Sequence, residues 1–236
     1  MKKVAICMPC FGRPERTKRA IESILAQTVN NWEAYIMGDC CPDFQKIYEE
    51  NSALGKGSWE ARALATGNEI IMFNSRKHEG GYGYTFRNYV NQYNNAENVL
   101  YLDNDDTLEQ NHLENYLAGI EGTDNDFVFF NTNLRFIESH MNVMYKGGLP
   151  VTGNSGPGSY IRDAQPEFGK IGHAELIIRS KFLKDHPEIQ QTAEYGHDWK
   201  FIEQMINAGA KYAKAANPVA TYNIMGAGEL RETNID

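Results

Sequence analysis

Asp103, Asp105 and Asp106 fall within four residues, directly after the apolar run Asn98-Val99-Leu100-Tyr101-Leu102. A strand that ends this way delivers several carboxylates to one edge of a sheet. Like charges so close repel each other, and a bound cation relieves that cost. Hard oxygen ligands suit Mg²⁺ or Mn²⁺, ions that commonly bridge a substrate's phosphates. The expected chemistry is therefore a metal–diphosphate site at the edge of an α/β sheet. The competing reading is a plain acidic turn in which Asp106 or Thr107 caps the next helix.

The four cysteines are the other residues with possible chemistry. Cys7 and Cys10 are spaced like a redox or zinc half-site, and Cys40 and Cys41 are adjacent. Neither the adjacent pair nor the strand setting has the usual spacing of zinc ligands. Free thiols in a reducing cytoplasm fit better, and the expected location is cytoplasmic.

The elements that must position the acidic turn alternate in type. Lys3 to Met8 reads as a fully buried parallel strand. Pro14 to Gln27 reads as a helix with Ala20, Ile21, Ile24 and Leu25 on one face, and Pro14 suits its first turn. Trp32 to Gly38 and Glu69 to Phe73 are further strands, with a helix over Pro42 to Asn51 and an ambiguous stretch from Ala53 to Gly67. A glycine-rich loop, His78 to Tyr84, opens a helix that runs to about Asn94. Another helix covers roughly Glu109 to Gly119. Beyond it the rhythm changes. Asp126 to Phe136 and Met141 to Lys146 read as a hairpin, and Gly147 to Gly172 as a long loop of the functional or mobile kind. Glu175 to Arg179 is a short strand. Gly196 to Ala208 is an amphipathic helix with Trp199, Ile202, Met205 and Ile206 on its apolar side. Lys211 to Ile224 is a final strand pair or one long strand.

Composition bounds the rest. A chain of 236 residues, 42% of them hydrophobic, can bury a substantial core. No stretch approaches the roughly 20 apolar residues of a membrane span. Lys2 and Lys3 precede a short apolar run stopped by Pro9, which makes a poor signal peptide. A net charge of −8 leans against a general nucleic-acid binder.

Five motifs, in order, resemble those of the family 2 glycosyltransferases of the GT-A fold. Val4-Ala5-Ile6-Cys7-Met8-Pro9-Cys10-Phe11-Gly12-Arg13-Pro14 is similar to the family's opening strand and turn. Arg19-Ala20-Ile21-Glu22-Ser23-Ile24-Leu25-Ala26-Gln27-Thr28 is close to its first helix. Trp32 to Asp43 resembles the glycine variant of its second strand. His78-Glu79-Gly80-Gly81-Tyr82-Gly83 with Phe86-Arg87-Asn88 is similar to its glycine-rich segment, and Leu102-Asp103-Asn104-Asp105-Asp106 to its acidic motif. The resemblance covers about the first 120 residues. It thins to Gly196-His197-Asp198-Trp199 and Tyr222-Asn223-Ile224 after that.

The resemblance implies a single GT-A domain over 1–236: an α/β, Rossmann-like, mostly parallel central sheet with a mixed C-terminal part and helices on both faces. Residues 1–120 would bind the nucleotide-sugar and 121–236 the acceptor. The implied reaction moves a sugar from a nucleotide-sugar, expected to be a UDP-sugar, to an acceptor hydroxyl with inversion and assistance from Mn²⁺ or Mg²⁺. Asp103 and Asp105 are implied on the metal side. Pro9, Phe11, Arg13, Asp39, Arg87, Asp103 and Asn104 are implied at the nucleotide-sugar, with Asp39 facing the base and Arg87 the diphosphate. Asp198 is implied as general base, although His197 stands where the family usually has a glutamate. Met225 stands where many relatives have a metal-binding histidine. A thioether suits a hard cation poorly, so water, His173 or His197 would complete the shell.

Two other classes compete. A catalytically silent member would bind the nucleotide or sugar without turnover. A nucleotidyltransferase also gathers aspartates around Mg²⁺, but the Pro9-Cys10-Phe11-Gly12-Arg13-Pro14 turn lacks the basic, glycine-rich character such enzymes usually need. The acceptor stays open among glycan, lipid carrier, protein and modified nucleic acid.

Overall fold

The first strand, β1 (Lys2–Cys10), is apolar from Val4 to Met8 because it is covered on both faces there. Val4, Ile6 and Met8 enter one core layer, and Ala5 and Cys7 enter the other. This computed structural model describes residues 2–136, 158–215 and 220–224. Strands β2 (Trp32–Gly38), β3 (Glu69–Asn74) and β4 (Ala96–Tyr101) run parallel to β1, with Ile6 level with Ala34 on one side and Leu100 on the other.

Helices α1 (Pro14–Leu25), α2 (Pro42–Ser52) and α3 (Trp59–Ala65) lie on the Ile6 face, where Ile21, Ile24, Phe44 and Trp59 fill the core. Prolines open α1 and α2, where a missing N–H costs nothing. Helix α4 (Tyr84–Tyr93) covers the opposite face through Phe86 and Val90. The ambiguous stretch resolves into a 3₁₀ turn at Gly55–Gly57 followed by α3, capped by the Ser58 hydroxyl.

The short β5 (Thr107–Leu108) precedes α5 (His112–Ile120), which packs Leu113, Tyr116 and Ile120 on the α1 face. Neither Asp106 nor Thr107 caps this helix: its N-cap is Asn111, and Thr107 pairs in a sheet instead. The expected single strand from Asp126 divides into β6 (Phe127–Phe129) and β7 (Thr132–Phe136), which join different sheets. Its partner is β8 (Gly158–Arg162), inside the stretch read as loop; the expected strand Met141 to Lys146 lies outside the described residues. Strand β9 (Leu176–Arg179), helices α6 (Ser180–Asp185) and α7 (His197–Asn207), and strands β10 (Tyr212–Lys214) and β11 (Ala220–Ile224) complete the described elements.

The main sheet has the order β10-β6-β9-β4-β1-β2-β3. Only β9 is antiparallel to its neighbours, with Ile178 between Val99 and Phe127. The second sheet has the order β5-β11-β7-β8. This mixed half adjoins the carboxyl end of β4, the edge at which open α/β sheets collect ligands.

Candidate active site

Three parallel strands end together, and each contributes a turn. After β1, Gly12 and Arg13 take left-handed backbone, with φ of 59° and 55°. For arginine this conformation is uncommon and costs energy, so the rest of the turn must hold it. The Arg13 carbonyl accepts the Arg16 and Thr17 amides, which starts α1. Its guanidinium is then directed at Asp105, and the two form an ion pair. Phe11 is exposed rather than core, and its ring lies 4.9 Å from that of His78. Pro9 abuts the glycine-rich loop: a Cβ on Gly83 would fall 2.4 Å from the Pro9 Cβ, and Gly83 has φ of 76°. Only glycine meets both conditions.

After β2, Asp39 is buried and its carboxylate organises that same loop. Oδ1 accepts the Glu79 amide at 2.7 Å and Oδ2 the Gly80 amide at 2.8 Å. His78 Nδ1 lies 3.0 Å from Oδ2. Asp39 does not cap α2, whose N-cap is Cys41.

After β4 comes the acidic turn. Asp103 Oδ1 accepts from Arg87 Nη2 at 2.5 Å, and Arg87 rises from α4 with its side chain 3% exposed. Asn104 turns inward: its amide donates to the Gly12 carbonyl at 3.3 Å and to Thr17 Oγ1 at 2.9 Å, locking the acidic turn to the first turn. Burial and the neighbouring Asp103 raise the pKa of Asp105, while Arg13 and Arg16 oppose the rise. Asp103, Asp105 and Asp106 bring ligand oxygens within 4.8 Å of one another. Three hard carboxylate donors at that spacing, one with a disfavoured charge, fit a divalent cation such as Mg²⁺ or Mn²⁺.

A second cluster lies in the mixed half. Asp198 sits in the first turn of α7, where the helix dipole favours negative charge. Its Oδ1 is 2.6 Å from His173 Nδ1 and 2.9 Å from His197 Nε2. His173 is buried in the 3₁₀ turn before β9, against Tyr101 and Phe201. Burial lowers the pKa of His173, against the pull of Asp198. Burial alone would raise the pKa of Asp198, but the two histidines hold it well below the usual carboxylate range. Both directions describe one unit: a buried, neutral His173 at contact distance from an ionised Asp198, although Oδ1 has no well-aligned hydrogen bond among the described residues. His173 Nε2 has no hydrogen-bond partner among the described residues, which suits a bare lone pair better than an N–H. These three groups also bring ligand atoms within 4.8 Å of one another.

The two clusters are neighbours. The Arg87 charge that pairs with Asp103 is also felt at His173, and Tyr101, at the end of β4, lies between strand and histidine with ring centroids 5.2 Å apart. The motif residues therefore gather in the structure, with Asn104 facing the frame. Arg16 is the addition, and His173, expected as a possible metal ligand, stands against Asp198 instead. Met225 lies outside the described residues. The four cysteines are free thiols, and burial pushes Cys7 up to about 12.

Comparison with known proteins bears on the fold and the family. The chain is 28% identical over 183 residues to the poly(ribitol-phosphate) beta-N-acetylglucosaminyltransferase TarP of Staphylococcus aureus (strain N315), covering 77% of this chain and 46% of that protein. The S. aureus TarS fragment 1–349 in complex with UDP-GlcNAc superposes with a TM-score of 0.63 at 14% identity, over 99% of this chain and 62% of that one. The mannosyltransferase PcManGT of Pyrobaculum calidifontis, in complex with GDP-Man and Mn²⁺, gives 0.61 at 13% identity, over 93% of this chain and 56% of that one. The chain thus spans about half to three fifths of these proteins' lengths, and the fold is that of the GT-A glycosyltransferases. Residues 5–184 match the profile described as glycosyl transferase family 2, and to that family the chain belongs.

Proposed function

We propose that this chain transfers a sugar from a nucleotide-sugar to an acceptor hydroxyl, with inversion at the anomeric carbon. The observation that carries the reading is the meeting, at the end of β4, of a carboxylate cluster backed by Arg87 and a histidine-supported carboxylate on α7. One serves a leaving diphosphate and the other an incoming hydroxyl. A divalent ion held by Asp103 and Asp105, with Asp106 in reserve, would stabilise the charge that builds on the departing diphosphate as a Lewis acid.

The chain's own groups do the rest. Asp39 and Phe11 bind the base between the first two turns, and the TarS and TarP comparisons favour a UDP-sugar as donor. Arg87 and Arg13 face the phosphates, where a guanidinium suits paired oxygens. Asp198 takes the proton of the attacking hydroxyl. His173 and His197 both face one of its oxygens, which leaves the other for that proton. Residues 1–120 serve the donor and 121–236 the acceptor.

A panel of nucleotide-sugars with Mn²⁺ tests the reading. Slow release of nucleoside diphosphate from a UDP-sugar is the expected result. Binding without turnover would favour a silent nucleotide-binding protein, and pyrophosphate release a nucleotidyltransferase. Asp198→Asn should spare donor binding, measured by calorimetry, while cutting transfer; equal loss of both would remove Asp198 as base.

A further inference from the structure

Two exposed aromatic rings stand at the start of α7 with no role in the site described above. Phe168 is 53% exposed and Tyr195 77% exposed. Their ring centroids are 6.1 Å apart and their planes meet at 60°. Neither belongs to a core cluster. Exposed apolar side chains that adjoin one another are candidates for a contact surface.

The pair is built into the frame. Gly196, the N-cap of α7, has φ of 76°, and a Cβ there would lie 2.6 Å from Phe168 Cε2. Phe168 therefore rests on a position whose left-handed backbone favours glycine. The segment that carries Tyr195 is clamped on both sides. Asn88 and Gln191 exchange two hydrogen bonds, at 2.9 and 2.8 Å, and Gln190 and Gln204 exchange two more, at 3.1 and 2.9 Å. Ala193 meets the glycine-rich loop, where a Cβ on Gly81 would come within 2.9 Å of it. A segment held in place in this way loses little backbone entropy when a ligand docks on it.

Position decides what the ligand is. Asp198 follows Gly196 by two residues, and one helical turn rises only about 5.4 Å. A ligand on these rings therefore lies within about one helical turn, along the chain, of the residue proposed as base. Pyranose rings present apolar C–H faces bordered by hydroxyls, and aromatic faces suit the former. The local charges balance: Glu167 pairs with Lys170, and Glu194 with Lys200. Such a rim offers hydrogen bonds to hydroxyls and no basic surplus for an anionic bilayer.

We propose that Phe168 and Tyr195 form a stacking subsite for a sugar ring of the acceptor, so that the acceptor is a saccharide. The proposal rests on Asp198 being the base of the reaction proposed above.

The test uses the full chain, fluorescently labelled, on an array of immobilised oligosaccharides with UDP and Mn²⁺ present. The wild type should be retained by a subset of glycans. Phe168→Ala and Tyr195→Ala should each weaken retention roughly 2- to 10-fold. Phe168→Leu, which keeps apolar volume but lacks a ring, should weaken it too, and melting curves establish that each variant is folded. Tyr93→Ala, an exposed ring on α4, should change nothing. No retention of the wild type, or equal retention of the ring-less variants, overturns the proposal. So does binding to phosphatidylethanolamine–phosphatidylglycerol vesicles that the same substitutions abolish, since that would make the pair a membrane contact. Donor hydrolysis by the wild type is read in parallel; its absence counts against the transferase reading, whereas unchanged retention counts against the subsite alone.

Discussion

Replacing His173 with alanine removes the nearer of the two imidazoles that face Asp198 Oδ1. His173 Nδ1 lies 2.6 Å from Asp198 Oδ1, an oxygen with no well-aligned hydrogen bond among the described residues, so a charge-assisted bond is the upper bound on this contact. Such bonds contribute about 1.5–3 kcal/mol. The Asp198 side chain is 36% exposed and keeps His197 at 2.9 Å, so solvent and the second imidazole both soften the loss. The lower end of the range applies, about 1.5 kcal/mol, or about tenfold in rate. The donor half is untouched, so kcat should fall while donor KM stays level. The acid limb of the pH–rate profile should also move upward, because the carboxylate loses a group that holds its pKa down. Asparagine is the control: its amide nitrogen occupies nearly the position of an imidazole Nδ1, so His173→Asn should recover most of the rate and the original limb. Nucleoside diphosphate release, followed across pH for the three proteins, reads both effects. An acid limb that stays in place in His173→Ala would refute the link between this histidine and the base. A rate loss matched by an equal loss of thermal stability, with asparagine giving no recovery, would reduce His173 to packing.

The other predictions concern the donor side and stability. Asp105→Asn removes a charge from the carboxylate cluster and should lower metal-dependent turnover on the order of a hundredfold or more, with weaker Mn²⁺ binding by calorimetry; normal turnover would make the acidic turn structural. Because burial and Asp103 raise the pKa of Asp105, Mn²⁺ affinity of the wild type should begin to fall at a higher pH than for an ordinary carboxylate site. Gly83→Ala places a Cβ 2.4 Å from Pro9 at a positive φ and should cost about 1–3 kcal/mol in urea unfolding, where an unchanged midpoint would contradict the close approach. The lowered pKa of His173 gives a definite sign to acid stability. The unfolded imidazole takes up a proton near pH 6.5 that the buried one refuses, so stability is full above that pH and declines below it. Urea midpoints from pH 8 to 5 should fall more steeply for the wild type than for His173→Asn, and parallel curves would exclude the linkage.

What could be read along the chain, and what could not, divides by the range of the interaction. The parallel strands were legible because burial on both faces forces an unbroken apolar run, and α1 and α2 because proline suits a first turn. The acidic turn was legible because repulsion among neighbours is a local cost. The direction of β9 was not: Leu176-Ile177-Ile178 looks the same in either orientation, and only its pairing with Val99 and Phe127 makes it antiparallel. That reversal bears on the chemistry. It sets the turn just before β9 beside Tyr101, and so brings His173 to an aspartate 25 residues further on. No periodicity encodes a contact of that kind. The available signal was weaker, a histidine directly before a buried strand and a second histidine beside Asp198. Asp106 shows the same limit from the other side. Read locally it is a helix cap, yet the chain spends Thr107 and Leu108 on a strand paired with β11, a partner more than 100 residues away. The helix start therefore moves to Asn111, and Asp106 stays with the carboxylates. A distant pairing thus keeps a third carboxylate at the site, where a local rule would have placed it on the next helix.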